Sequence, residues 1–355
     1  MNKNRISAFV VSILACLSAA QFNAREASAG TIYVTSRDNS GTGTLREAAN
    51  YVNVNGGTNT ISWITGSGGS IYLTSALSAL NGNTTLDVTN STTAVSISGA
   101  DGVYMPLAGS VTMSNDNVSN PMTVSIVLSS TGSVTKTGDG VLYLTGTNTY
   151  TGGTFLNGGT VAIYGDSGLG NATGALSFNG GTLKIMDTVS MSRLITLNAG
   201  GGTFDTNSQN LTLSGVIDGS GRLTKTGLGT LYLNAANTYT GGTTVSSGTL
   251  QVGIDNGLPS SGAVSVGQEG TLALSDYAQA VASYSGSGTL GMKLRTGITN
   301  LDVAGTAALG GVLSLSFAPQ LFTDGQTFTP ITAGAITGQF STILVEVQQG
   351  LDTSS

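Results

Sequence analysis

The feature that most constrains this chain is a stretch written twice. Residues Thr135–Ile163 read TKTGDGVLYLTGTNTYTGGTFLNGGTVAI, and residues Thr224–Val252 read TKTGLGTLYLNAANTYTGGTTVSSGTLQV. Matched residues lie 89 positions apart: Lys136 and Lys225, Tyr143 and Tyr232, Tyr150 and Tyr239, Gly153 and Gly242. A near-copy at fixed displacement indicates a repeat architecture, whose units are too short to bury an apolar face alone. A shorter beat runs inside it. Glycines at 132, 140, 159, 181, 202 and 221 are spaced 8, 19, 22, 21 and 19 residues, and each precedes alternating apolar positions. The beat is close to twenty residues, with a short extra strand opening each copy.

Within each unit the alternation has period two. Leu142 and Leu144, Val161 and Ile163, Leu183 and Ile185, Leu231 and Leu233, Leu250 and Val252 take one side. The intervening Tyr143, Ala162, Lys184, Tyr232 and Gln251 take the other. That is the pattern of short strands with one apolar face. Stacking such coils buries the apolar face continuously and pairs each backbone edge with a neighbour, which is a β-solenoid. Gly-Gly and Asn-Gly pairs supply the positive φ that tight corners need.

These residues also carry a resemblance. The run K-T-G-x-G-x-L-x-L, then N-T-Y-T-G-G-T, then G-T-L-x-V is similar to the autotransporter-associated β-strand repeat of bacterial passenger regions. The resemblance implies a right-handed parallel β-helix displayed outside the cell. It brings no catalytic residues with it. Leu301–Ile343 resembles the closing segment of such passengers, with G-T-A-A-L-G-G-V-L followed by G-Q-T-F-T-P-I-T-A. A membrane barrel would need many further strands of about ten residues. Only residues 344–355 follow. The expectation is a secreted passenger-like chain, one partner of a split system, or the product of a truncated gene.

Residues 1–29 read as a signal peptide: Lys3 and Arg5, the apolar stretch Ile6–Ala20, and Ala27-Ser28-Ala29 as the cleavage site before Gly30. Ile13-Leu14-Ala15-Cys16 is a competing lipobox-like reading, with Cys16 lipidated. Cleavage at 29 removes three of twelve basic and one of eighteen acidic residues, leaving a net charge of −8. It also removes the single cysteine, so no disulfide is expected. The acidic balance argues against nucleic acid as a partner.

Thr44–Val54 reads as a helix. Thr44 is its N-cap, Glu47 completes a capping box, and Leu45, Ala48, Ala49 and Val52 share one face. The run S-G-T-G-T-L-R-E-A-A resembles the first coil of extracellular β-helix proteins, where the helix caps the open end. Gly41-Thr42-Gly43 also mimics the start of a dinucleotide-binding loop, but Arg46 stands where its third glycine would be. Alternating segments at Ile71–Leu73, Thr85–Val88, Ala94–Ile97, Ser110–Met113 and Met122–Leu128 read as less regular coils.

The chain contains no histidine, which removes Ser-His-Asp triads, Cys-His pairs and histidine-ligated zinc. Ser133-Val134-Thr135-Lys136 spells S-x-x-K, but Arg222 replaces the serine in the second copy. Carboxylate chemistry of the β-helix carbohydrate enzymes remains, with Asp166, Asp187, Asp205, Asp218 and Asp255 as candidates. Asp166 and Asp255 are duplicated, which favours a corner role. Tyr143 and Tyr232 are expected to face outward, as a surface ladder or as platforms for sugar rings. Lys136 and Lys225 are expected to form a solvated row beside them.

Together these readings predict an all-β, right-handed parallel β-helix with a short N-terminal capping helix. The expected divisions are a signal peptide (1–29), a cap (30–64), the solenoid (65–300), a passenger-like closure (301–343) and a polar tail (344–355). No catalytic, cofactor-binding or metal-ligating residue is assigned, and no cofactor. The expected function is that of an exported, non-enzymatic adhesive or structural protein, on the outer surface of a Gram-negative cell or secreted from it. A carbohydrate-binding or carbohydrate-active β-helix, or a passenger without present function, is the alternative. Surface glycans, host or neighbouring-cell surfaces, further copies of the chain and a separately encoded translocator are the expected partners.

Overall fold

The computed structural model describes residues 30–55, 57–63, 68–295, 299–317 and 327–347. Residues 1–29, the expected signal peptide with Cys16, and the end of the polar tail lie outside the described residues. The chain winds as a parallel β-solenoid whose strands form three hydrogen-bonded faces. Every pairing between named strands is parallel and joins one coil to the next.

The first face stacks β1 (Gly30–Val34), β2 (Thr58–Trp63), β4 (Asn83–Asp87), β7 (Ser110–Ser114), β10 (Ser133–Thr137), β12 (Thr154–Leu156), β14 (Leu176–Phe178), β17 (Ile195–Leu197) and β20 (Ile217–Gly219). The second stacks β3 (Gly69–Leu73), β5 (Val95–Gly99), β8 (Met122–Val124), β11 (Val141–Leu144), β13 (Thr160–Ile163), β15 (Thr182–Ile185), β18 (Gly202–Asp205) and β21 (Leu223–Thr226). The third begins with β6 (Tyr104–Pro106) and β9 (Val127–Ser129). It resumes with β16 (Val189–Met191), β19 (Leu211–Leu213) and β22 (Thr230–Leu233).

Later strands are longer and bend around a corner. β23 (Thr243–Val252) and β24 (Ala263–Ala273) serve the second face with their first halves and the third with their second halves. β26 (Ser283–Gly286) continues the second face and β27 (Thr289–Lys293) the third. β25 (Gln279–Val281) pairs with the first half of β28 (Leu301–Leu309). β29 (Val312–Phe317), β30 (Ile331–Gly338) and β31 (Thr342–Val347) extend these ladders. The stretch that resembles a passenger closure therefore continues the same three ladders. One expected segment divides: Met122–Leu128 is two strands, because Ser125 and Ile126 turn the corner between β8 and β9.

The alternation in sequence becomes the core. Leu142, Val161, Leu183 and Phe204 are fully buried and stack on successive coils. Phe178 and Phe204 meet with ring centroids 5.0 Å apart, tilted by 52°. At the start, α1 (Leu45–Asn55) buries Leu45, Ala48, Ala49 and Val52, the expected face. The Glu47 amide donates to Thr44 Oγ1 at 3.2 Å, and the Gly43 amide donates to Glu47 Oε2 at 2.6 Å. Glu47 thus fills the anion position at the helix start that a nucleotide phosphate would need. Arg46 ties the helix to the next coil, donating to the carbonyls of Ser75 and Ala76. No helix among the described residues is long and apolar enough to cross a membrane.

Candidate functional surface

The duplicated letters are first of all structural. In N-T-Y-T-G-G-T, Asn148 is buried at a corner and bridges two coils. Its Oδ1 accepts from the Leu128 amide at 2.8 Å, and its Nδ2 donates to the Gly168 carbonyl at 2.8 Å. Asn237 repeats this with Ile217 at 2.9 Å and Gly257 at 2.7 Å. Tyr150 is fully buried with its hydroxyl 2.7 Å from Thr154 Oγ1, and Tyr239 pairs with Thr243 at 2.6 Å. Burial raises both phenols well above their ordinary pKa. Gly153 and Gly242 sit at φ +85° and +83°. A Cβ there would lie 2.7 Å and 2.6 Å from the carbonyl oxygens of Ala175 and Ala263.

The lysines correct the expectation of a solvated row. Both side chains are fully buried. Lys136 stands in an inward row between Met113 and Leu156, and Lys225 between Phe204 and Val245. The alkyl stem fills the core while the ammonium reaches a corner lined with carbonyls. Lys136 Nζ donates to Thr137 at 2.5 Å and Gly138 at 2.6 Å. Lys225 Nζ donates to Thr226 at 2.9 Å, Gly227 at 2.8 Å and Ser247 at 3.1 Å. Burial pushes both amines down to about 8, against the charges of Asp116 and Asp139 in the first copy and Asp205 in the second.

Tyr143 and Tyr232 face outward and are half-buried, but they form no aromatic ladder. Thr123 and Ala162 flank Tyr143, and Thr212 and Gln251 flank Tyr232. The two do not share a face. Val134 leads up the first face through Thr154, Leu176 and Ile195 to Ile217, four coils on. Its copy, Leu223, lies six residues further and belongs to the second face. The repeat is therefore displaced by four coils and one face. The eight-residue step in the glycine beat is this move to the next face, not an additional strand. Gly140, Gly159, Gly181, Gly202 and Gly221 open or precede strands of the second face, and Gly229 opens the third.

The candidate aspartates are dispersed. Asp166 begins a turn of 3-10 helix (Asp166–Leu169), with Oδ1 accepting from Arg193 Nε at 2.7 Å. Arg193 is buried and also donates to the carbonyls of Gly174 at 2.7 Å and Asp166 at 3.1 Å, fixing the loop to residue 174. Asp205 pairs with Lys184 at 3.2 Å on the second face. Asp218 lies on the first face, and Asp255 accepts from the Ala278 amide at 2.8 Å. Asp187 accepts from the neighbouring Thr188 amide. Among the described residues, no three or more Asp, Glu, His or Cys gather as a metal site. The aspartates occupy corners and faces separately, and no two of the five share an acid–base arrangement.

Sequence reading missed the outward hydroxyls. On the first face Thr31, Thr60, Thr85, Thr112 and Thr135 stand in direct register on five successive coils. The second face carries its own row: Thr160, Thr182, Thr203, Thr224 and Thr244, then Ser265 and Ser285. On the third, Thr230, Thr249, Thr271 and Thr289 align. β-branched threonine suits a half-exposed strand position, and stacked hydroxyls keep the faces wettable without charge.

Two stretches, residues 134–163 and 223–252, match the model of the passenger-associated-transport-repeat. The chain is also 37% identical over 175 residues to a protein named adhesin BmaC autotransporter, from Brucella suis biovar 1 (strain 1330). That match covers 47% of this chain and 5% of the relative, so the chain spans a small part of that protein's length. No solved structure matches the chain. Over these stretches the chain is similar to the repeats of autotransporter passenger regions.

Proposed function

We propose that this autotransporter passenger-like chain is an exported, non-enzymatic adhesive protein of the outer cell surface. Its 37% identity to part of an adhesin autotransporter carries the reading. Three further observations support it. The solenoid displays long outward faces of hydroxyl groups, the duplicated motif residues serve coil packing, and the carboxylates are dispersed. Residues 1–29 would direct export, with cleavage before Gly30. Surface glycans, host or neighbouring cells, or further copies of the chain would be its partners.

The test compares cells that produce the chain with cells lacking its gene. External protease should remove the protein from intact producing cells, and attachment to a surface or to neighbouring cells should fall when the gene is deleted. Chain that resists external protease in intact cells and is absent from the medium would overturn the surface reading. Unchanged attachment after deletion would overturn the adhesive one.

A further inference from the structure

We propose that the first five coils of the first face bind an uncharged, extended, β-linked polysaccharide lying along the rod. The inference rests on the adhesive reading and names its partner. The threonine row from Thr31 to Thr135 spans four coil spacings, about 19 Å at ~4.8 Å each. Exposed aromatics stand at both ends of this strip. Tyr33 on β1 is 55% exposed, and Phe155, directly beyond Thr135 in the same row, is 37% exposed. They lie five spacings apart, about 24 Å.

The chemistry selects the occupant. Hydroxyls act as both donors and acceptors, so a row of them matches a chain that bears hydroxyls along its length. Aromatic faces at the ends suit the C–H faces of pyranose rings, because a ring buries much area with little conformational cost. Among the outward positions of β1, β2, β4, β7 and β10 the one charged side chain is Asp87. A strip with a single carboxylate on an acidic protein gives no attraction to polyanions and little to polycations. A second copy of the chain is disfavoured, since stable protein interfaces are built around an apolar centre. The straight stack fits a ribbon-like chain better than a coiled one. The second face differs in the charged pair Lys184–Asp205 beside its threonine row.

The experiment is affinity electrophoresis of the purified chain through gels containing hydroxyethyl cellulose, with dextran as the coiled neutral control and polygalacturonate as the acidic one. Retardation is expected in the first gel alone. Thr85→Glu with Thr112→Glu, and separately Phe155→Ala, should each weaken it at least tenfold, with unfolding midpoints that show the variants folded. Thr203→Glu on the second face should leave it unchanged. Absence of retardation in hydroxyethyl cellulose, equal retardation in all three gels, or equal loss with Thr203→Glu would overturn the proposal. So would a sedimentation coefficient that rises with concentration and falls back in the Thr85/Thr112 variant, which would assign the strip to a second copy. Attachment that survives these variants in producing cells discards the polysaccharide and keeps the adhesive reading. Attachment lost together with gel retardation supports both, and deletion without effect on attachment removes the adhesive reading itself.

Discussion

Replacing Asn148 by alanine should cost more than an ordinary surface change, because one side chain satisfies two buried backbone groups on different coils. The Leu128 amide loses its acceptor and the Gly168 carbonyl loses its donor. An unsatisfied buried group costs about 1–3 kcal/mol, so the pair costs about 2–6 kcal/mol. The lower figure corresponds to roughly 30-fold faster amide exchange if opening is local. Hydrogen exchange followed by mass spectrometry reads this directly at Leu128. Asn148→Asp keeps the acceptor and loses the donor, so Leu128 should stay protected while part of the stability is lost. The duplication supplies an internal control: Asn237→Ala should expose the Ile217 amide by the same reasoning. A Leu128 amide as protected in Asn148→Ala as in the parent would refute the bridging role.

Three other side-chain environments give measurable outcomes. Tyr284→Phe should raise stability by about 1 kcal/mol in thermal unfolding, since the buried hydroxyl of Tyr284 has no hydrogen-bond partner among the described residues; a loss of more than about 1 kcal/mol would contradict this. Arg193→Ala should cost about 3–5 kcal/mol and open the loop between residues 166 and 174 to limited proteolysis, because Asp166 and the carbonyls beneath the guanidinium lose their donor. Stability should rise with pH from about 8 to about 10, where folded Lys136 and Lys225 have released protons that the unfolded chain still holds. Above pH 10 it should fall, because buried Tyr150, Tyr239 and Tyr284 stay neutral while the unfolded chain's phenols ionise. Urea midpoints measured from pH 7 to 11 check this, and a monotonic decline across that range would refute the lysine part.

The fold was legible because a solenoid writes its geometry locally: period-two alternation marks the strands and recurring glycines mark the corners. The helix at residue 45 was legible for the same reason, since its cap and buried face lie within eleven residues. Lys136 was misjudged by its charge, although its parity told the truth. Val134 and Lys136 are two residues apart and share a side, as do Leu223 and Lys225. Tyr150 follows the same parity, since burial alternates without a break from Leu142 through Leu144, Gly146 and Asn148 to Tyr150. The threonine rows were hidden for another reason. Successive pairings on the first face span between 19 residues, from Leu176 to Ile195, and 29, from Gly30 to Asn59. Without the pairing, unequal coil lengths scatter an aligned row through the sequence.

The offset between the two copies governs how the molecule presents itself. A duplication of whole coils would have aligned the copies in a single strip on one side. Here the second copy sits about 19 Å further along the rod and has passed to the neighbouring side. Whatever Tyr143 and its surroundings offer a partner, Tyr232 offers in another direction. Two partners can then be held by one rod without competing for the same approach. Were both copies to bind, the gain from duplication would be reach around the circumference more than avidity for one target.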